Sequence, residues 1–158
     1  LKHFPGHGDV EIDSHIDLPI LDKSKEELER IELLPFARLS PYVDAVMTAH
    51  LLVPALDEAH CSTLSPKTLH YLREVLGFQG VIVSDSLWMQ GVLKESGSID
   101  EAAISALLAG CDLLILGGSQ LLSGGPGLDG SVAEVLRVHR SIIEAVKSGR
   151  IPEERLDQ

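Results

Sequence analysis

Three short runs of apolar and β-branched residues stand out along the chain and predict buried strands. They are Asp44–Ala49, Gly80–Ser84 and Asp112–Gly117. Successive runs lie about 32 to 36 residues apart, which suits strand–helix–strand units of roughly 30 or more residues. The spacing therefore favours parallel strands that are joined by helical crossovers.

The segment before the first run has the capping signal of a helix start and the apolar periodicity of a helix. Ser24 and Glu27 form a capping box at its start. Its apolar positions are Leu28, Ile31 and Leu34, and this stripe predicts one helix that ends before the proline that follows.

Three further helices are predicted by capping residues and by apolar positions at helical spacing. They begin at Ser65, Ser98 and Val132 and end at Gly77, Gly110 and Gly149, respectively. A last helical start is expected at Ile151-Pro152-Glu153. The resulting order, β-α-β-α-β-α, predicts an α/β fold with a parallel sheet and helices outside it.

Composition and charge narrow the classes of function. The hydrophobic fraction of 44% is ample for a core and excludes intrinsic disorder. A net charge of −11 repels phosphate groups, so we expect neither nucleic acid nor an anionic membrane as a partner. Two cysteines, Cys61 and Cys111, do not make a disulfide framework. They favour a reducing compartment, hence a cytoplasmic protein, or a secreted one if a signal peptide precedes Leu1.

The first fifteen residues hold the densest group of chemically active side chains. The group consists of Lys2, His3, His7, Asp9, Asp13 and His15. Because Pro5, Gly6 and Gly8 disfavour helix and strand, we expect a loop, and loops on a rigid scaffold are where catalytic groups concentrate.

Three interpretations of this loop remain open from the residue types. It can be a solvated polar loop. His3, His7 and His15 could bind a metal ion, although their spacing matches no common zinc pattern. Asp13 and His15 could instead form an acid/base pair, because a carboxylate on one ring nitrogen leaves the other free to exchange protons.

A second candidate group follows the predicted strand Gly80–Ser84. Asp85 comes directly after it, and in a parallel α/β fold such a carboxylate faces the ligand-binding rim. Asp85 could alternatively cap the segment that follows. His50 comes just after the run Asp44–Ala49 and is expected at the same rim. It could line the pocket or donate to a backbone carbonyl, and we favour the donation. Trp88 and Met89 could form an apolar wall for a sugar or pack in the core.

Several motifs, in this order, resemble glycoside hydrolase family 3 over nearly the whole chain, and most closely the bacterial β-N-acetylglucosaminidases. The motifs are Lys2-His3-Phe4-Pro5-Gly6-His7-Gly8-Asp9, Asp13-Ser14-His15, Leu18-Pro19, Leu33-Leu34-Pro35-Phe36, Val46-Met47-Thr48-Ala49-His50, Leu76-Gly77-Phe78-Gln79-Gly80-Val81-Ile82-Val83-Ser84-Asp85-Ser86-Leu87 and Gly149-Arg150-Ile151-Pro152-Glu153-Glu154-Arg155-Leu156.

The resemblance implies parallel βα units from the C-terminal half of a TIM (β/α)8-type barrel and a retaining glycosidase. Asp85 matches the nucleophile by position. His15 matches the proton donor and base, and Asp13 its partner in a His–Asp dyad, which replaces the usual second carboxylate. Lys2 and His3 match a sugar-binding pair. The implied substrate is terminal β-linked N-acetylglucosamine, notably of cell-wall muropeptides in peptidoglycan recycling, and neither a cofactor nor a metal ion is expected.

The resemblance also sets the expected domain organisation. Residues 1–158 match the second half of the family's N-terminal barrel domain, and the first half, which carries acidic and Arg residues that bind the sugar, is not in this sequence. We therefore expect the isolated chain to be a poor enzyme that associates with the missing half or with itself. Two alternatives remain: phosphorolysis in place of hydrolysis, and a non-catalytic half-barrel that binds sugar or a partner chain.

Overall fold

The computed structural model describes residues 1–10, 14, 16–117 and 132–157. Its α-helices are α1 (Lys25–Arg30), α2 (Leu34–Leu39), α3 (Pro66–His70), α4 (Gln90–Ser96), α5 (Ile99–Ala109) and α6 (Val132–Lys147). Its strands are β1 (Ala45–Met47), β2 (Val81–Ser86) and β3 (Leu113–Ile115). Short 3-10 helices span Ser40–Tyr42 and Glu153–Arg155, and a turn of π-helix over Tyr71–Val75 continues α3.

The three strands form one parallel sheet in the order β1-β2-β3, as the spacing of the apolar runs predicts. Val46 pairs with Ile82 in the first ladder, and both side chains are fully buried. β1 and β3 are shorter than the predicted runs, whereas β2 continues two residues beyond Ser84 to Ser86. The extension matters because it places Asp85 inside a strand rather than after one.

The N-terminal loop lies along the free side of β1. Phe4 donates its amide to the Met47 carbonyl (2.8 Å) and accepts from the Ala49 amide through its own carbonyl (2.8 Å). The Phe4 side chain is fully buried and packs edge-on against Phe36, with ring centroids 5.0 Å apart. This pairing fixes the position of the loop along the sheet, with Phe4 opposite Thr48.

The prediction of one helix through Leu28, Ile31 and Leu34 is wrong. α1 ends at Arg30, and α2 begins at Leu34 with Pro35 in its first turn, where a proline needs no amide partner. Leu28 is fully buried, but Ile31 is 53% exposed and Leu34 is 38% exposed, because they do not share one helical face.

The other helix ends follow the local signals. Ser65 caps α3 by accepting from the Thr68 amide, and Ser98 caps α5 by accepting from the Glu101 amide. Gly77, Gly110 and Gly149 adopt positive φ after helices, as their positions predict. The helical start expected after Ile151 is a 3-10 turn.

α4 has no counterpart in the sequence prediction. It has seven residues and its N-cap, Met89, makes no side-chain capping bond, so no local signal marks it. Together with α5 it forms the crossover from β2 to β3. No helix among the described residues has the length and hydropathy needed to cross a bilayer.

Candidate active site

Asp85 lies at the carboxyl-terminal rim of the sheet, inside a β-bulge. Val83 of β2 pairs with Leu113 and Ser86 pairs with Ile115, so β2 advances three residues where β3 advances two. A bulge interrupts the regular ladder and redirects a side chain, which is why bulges are frequent beside active sites. The Asp85 side chain is 20% exposed, so it is accessible from this rim.

The Asp85 carboxylate has two differently placed oxygens. Oδ1 accepts a hydrogen bond from the Ser86 amide at 2.7 Å. Oδ2 lies 3.9 Å from Nε2 of His3. Asp85 does not cap the next helix, because the N-cap of α4 is Met89. The carboxylate therefore keeps one oxygen on the main chain and turns the other toward the N-terminal loop.

The structure brings His3 to Asp85. The His3 side chain is 31% exposed, and its ring meets the ring of His7 edge-on at a centroid distance of 6.3 Å. Lys2 is exposed, and the peptide bonds Lys2–His3 and Phe4–Pro5 are both cis. The pairing of Phe4 with β1 explains how the neighbouring His3 reaches the strand ends.

Asp13 and His15, the predicted acid/base pair, lie outside the described residues. Ser14 between them is described and buried. Its hydroxyl hydrogen-bonds to His7 Nε2 at 3.0 Å, and its carbonyl accepts from the Gly91 amide at 3.2 Å. The roles of Asp13 and His15 stay predictions.

Through two ion pairs, Lys23 connects the N-terminal loop to the turn between α1 and α2. Lys23 Nζ lies 2.6 Å from Asp9 Oδ2 and 2.5 Å from Glu32 Oε1. The hydrogen bonds to Asp9 and then to Glu32 raise the pKa of Lys23. Glu32 is buried and packs against Gly6, where a Cβ would lie 2.7 Å from the Glu32 Cβ. No local sequence signal identifies this contact, because it joins residues from different elements.

His50 donates to a backbone carbonyl, as expected. Its Nε2 lies 2.8 Å from the Ser86 oxygen, and its side chain is fully buried. Trp88 and Met89 are 5% and 3% exposed, so they pack in the interior rather than form an exposed apolar wall. Among the described residues, no group of three His, Cys, Asp or Glu side chains could hold a metal ion.

Comparison with known proteins decides the family. The model of the glycosyl hydrolase family 3 N-terminal domain matches residues 1–158. The chain belongs to this family. It is similar to a beta-hexosaminidase of Idiomarina loihiensis, with 39% identity over 115 residues that make up 73% of this chain and 34% of the relative. A beta-hexosaminidase of Pseudomonas aeruginosa is 44% identical over 71% of this chain and 33% of its own length.

Solved structures of two enzymes have a similar fold. The family 3 beta-N-acetylglucosaminidase from Paenibacillus sp. str. FPU-7 is 40% identical and superposes with a TM-score of 0.83 over 99% of this chain and 28% of that protein. The beta-N-acetylglucosaminidase from Thermotoga maritima is 28% identical, with a TM-score of 0.78 over 99% of this chain and 31% of its own. The chain thus spans about a third of the length of the curated relatives it matches.

Proposed function

We propose that this chain carries the catalytic part of a retaining glycoside hydrolase, with Asp85 as the nucleophile. The observation that carries the proposal is the position of Asp85: a partly exposed carboxylate in a bulge at the carboxyl-terminal rim of a parallel sheet, 3.9 Å from His3. Catalytic groups of (β/α)8 enzymes are found at this rim. Membership of glycosyl hydrolase family 3 supports the reaction class.

The proposed architecture is one half of a (β/α)8 barrel. The parallel order β1-β2-β3 with helical crossovers supports it. The match of residues 1–158 to the family's N-terminal domain, in relatives about three times as long, supports a partial barrel domain in which other segments complete the substrate cradle. Its proposed partners are a carbohydrate substrate and that completing half.

The reaction proceeds in two steps. In the first, a carboxylate oxygen of Asp85 bonds to the anomeric carbon while the glycosidic C–O bond breaks, and imidazolium His15 protonates the leaving oxygen. In the second, neutral His15 takes a proton from water, whose oxygen bonds to the anomeric carbon and releases Asp85. Asp13 stabilises the imidazolium, and Lys2 and His3 bind the sugar hydroxyls.

The proposed substrate is a glycan that ends in β-linked N-acetylglucosamine, of the cell-wall type. The names of the relatives, beta-hexosaminidase and beta-N-acetylglucosaminidase, support this substrate class. Cys61 and Cys111 are free and buried. A cytoplasmic location remains a prediction from cysteine usage.

The test is covalent trapping on the full-length gene product. A slow fluorinated N-acetylglucosaminide should label the protein, and peptide mapping should find the label on Asp85. Asp85→Asn should abolish both labelling and turnover, because an amide cannot form the ester. Asp44→Asn is the matched control, since Asp44 is an exposed carboxylate at the opposite end of the sheet. A label on another carboxylate would contradict the assignment, and turnover that requires phosphate would indicate phosphorolysis.

A further inference from the structure

Three fully buried polar side chains lie beside the Asp85 segment. They are Thr48, His50 and Thr63, each with 0% exposure. Thr48 and His50 follow β1, and Thr63 comes from the loop that leads to α3. Burying a polar group is costly unless it is hydrogen-bonded, so each of these side chains must find partners inside the protein.

Their contacts form one continuous chain of hydrogen bonds. The Asp85 amide donates to Thr48 Oγ1 (3.4 Å), which lies 2.8 Å from Thr63 Oγ1. Thr63 Oγ1 lies 2.9 Å from His50 Nδ1, and His50 Nε2 lies 2.8 Å from the Ser86 carbonyl oxygen. We call this set, Thr48, Thr63 and His50, the Thr–His chain.

Proton counting gives the chain a direction. A carbonyl oxygen only accepts, so His50 Nε2 carries the hydrogen and Nδ1 is the acceptor in a neutral ring. Thr63 donates its one hydroxyl hydrogen to the Ala49 carbonyl (3.0 Å), with His50 Nδ1 (2.9 Å) as a second acceptor within reach. Thr63 therefore accepts from Thr48.

The two ends of the Thr–His chain hydrogen-bond to the peptide groups on either side of the Asp85–Ser86 peptide. Thr48 holds the amide before it, and His50 holds the carbonyl after it. The Leu87 amide, in the same peptide group as the Ser86 carbonyl, donates to Ile115 of β3 at 3.0 Å. The Asp85–Ser86 peptide lies between the two peptide groups that Thr48 and His50 hold. Its amide, on Ser86, donates to Asp85 Oδ1.

This arrangement compensates for the bulge in β2. Between Val83 and Ser86 the ladder to β3 is irregular, so the strand hydrogen bonds alone do not fix the backbone there. The Ser86 amide orients the Asp85 carboxylate. The position of that amide depends in turn on the peptide groups on either side of it, which Thr48 and His50 hold.

We propose that Thr48, Thr63 and His50 are positioning residues that hold the Asp85 carboxylate at the angle needed for attack; this rests on the proposed role of Asp85 as nucleophile. They do not touch the sugar, since all three are fully buried. Removing a hydroxyl from the chain should let the Asp85–Ser86 peptide rotate and misplace the attacking oxygen. A misplacement of about 1 Å costs on the order of 10²-fold in rate.

The experiment uses Thr63→Val and Thr48→Val in the full-length protein, because valine keeps the shape of threonine without its hydroxyl. The readouts are the rate constant for labelling by the slow fluorinated sugar, the Kd for free N-acetylglucosamine and the melting temperature. We expect labelling to slow by about 10- to 100-fold with an unchanged Kd. Thr63→Ser, which restores the hydroxyl, should restore most of the rate.

Thr68→Val is the control for loss of a buried threonine hydroxyl elsewhere, in α3. It should leave labelling unchanged even where it lowers the melting temperature. The proposal is overturned if both chain variants label Asp85 at the wild-type rate, or if Kd weakens as much as labelling slows, which would indicate general distortion. In either case Asp85 still takes the label, so the proposed function survives. If the label maps to another carboxylate, the proposed function itself fails.

Discussion

His3 Nε2 lies 3.9 Å from Asp85 Oδ2, although His3 precedes β1 in the sequence and Asp85 belongs to β2. The contact results from the pairing of Phe4 with β1, which carries the N-terminal loop to the ends of the strands. If Asp85 is the nucleophile as proposed, this contact predicts that His3 binds the sugar beside it.

Replacing His3 should weaken substrate binding more than it slows chemistry. A hydrogen bond contributes about 0.5 to 1.5 kcal/mol, so His3→Ala should raise KM for a β-N-acetylglucosaminide by roughly twofold to tenfold. Steady-state kinetics of the full-length protein measures this. His70→Ala, at an exposed position on α3, should leave KM unchanged. A fall in kcat at constant KM would contradict a binding role.

The role predicted for His15 can be tested by the dependence on the leaving group. His15→Ala should slow both steps, by about 10² to 10⁴-fold where proton transfer is needed. A substrate with a nitrophenolate leaving group should recover the first step alone, because that group departs without a proton. Asp13→Asn should act in the same direction. Near-normal turnover of His15→Ala on a poor-leaving-group substrate would show that the acid/base group is another residue.

Asp57 should stabilise the fold in a pH-dependent way. It is 3% exposed, and burial alone would raise its pKa. Hydrogen bonds from the Ala59 amide and the Ser65 hydroxyl, with the charge of Lys67, outweigh burial and hold the pKa of Asp57 below its usual value of 3.8. We expect Asp57→Asn to lower the free energy of unfolding by about 1 to 3 kcal/mol at pH 7.

The sign of this effect follows from proton uptake. Because the pKa of Asp57 is lower in the folded state, the unfolded state takes up a proton first as the pH falls below about 4. The difference between wild type and Asp57→Asn should therefore shrink in acid, which urea unfolding at pH 7 and pH 3.5 measures. Glu58→Gln, at an exposed neighbour, is the control. A difference that grows in acid would contradict the argument.

Gly80 should not tolerate a side chain at the entrance to β2. A Cβ there would meet the Asp44 carbonyl oxygen and lie 2.7 Å from Phe78 Cζ. Overpacking of this kind costs typically 1 to 3 kcal/mol, so Gly80→Ala should lower the midpoint of urea unfolding. Gly8→Ala should change stability by less than about 0.5 kcal/mol, because no described atom lies within 4 Å of its Cβ position. Equal stability of the two variants would show that β2 shifts to accommodate the methyl group.

Helix ends and strand positions could be predicted because their signals are local. Ser65 and Ser98 cap helices with their own hydroxyls. Gly77 and Gly110 adopt the positive φ that the helix ends require, which glycine does without strain. The failure at Pro35 has an equally local reason: a proline fits both after a helix and in the first turn of one, and the pattern does not distinguish the two.

The sequence by itself determined the parallel α/β order, the family resemblance and the nature of the candidate groups, because these depend on residue type and spacing along the chain. Only the tertiary structure decided that Asp85 lies within a bulged strand, that His3 faces it, and that Thr63 and His50 connect to Ser86. Those contacts join residues from separate elements. Their geometry depends on how the core packs and on which buried polar groups can satisfy one another, and no local pattern encodes either.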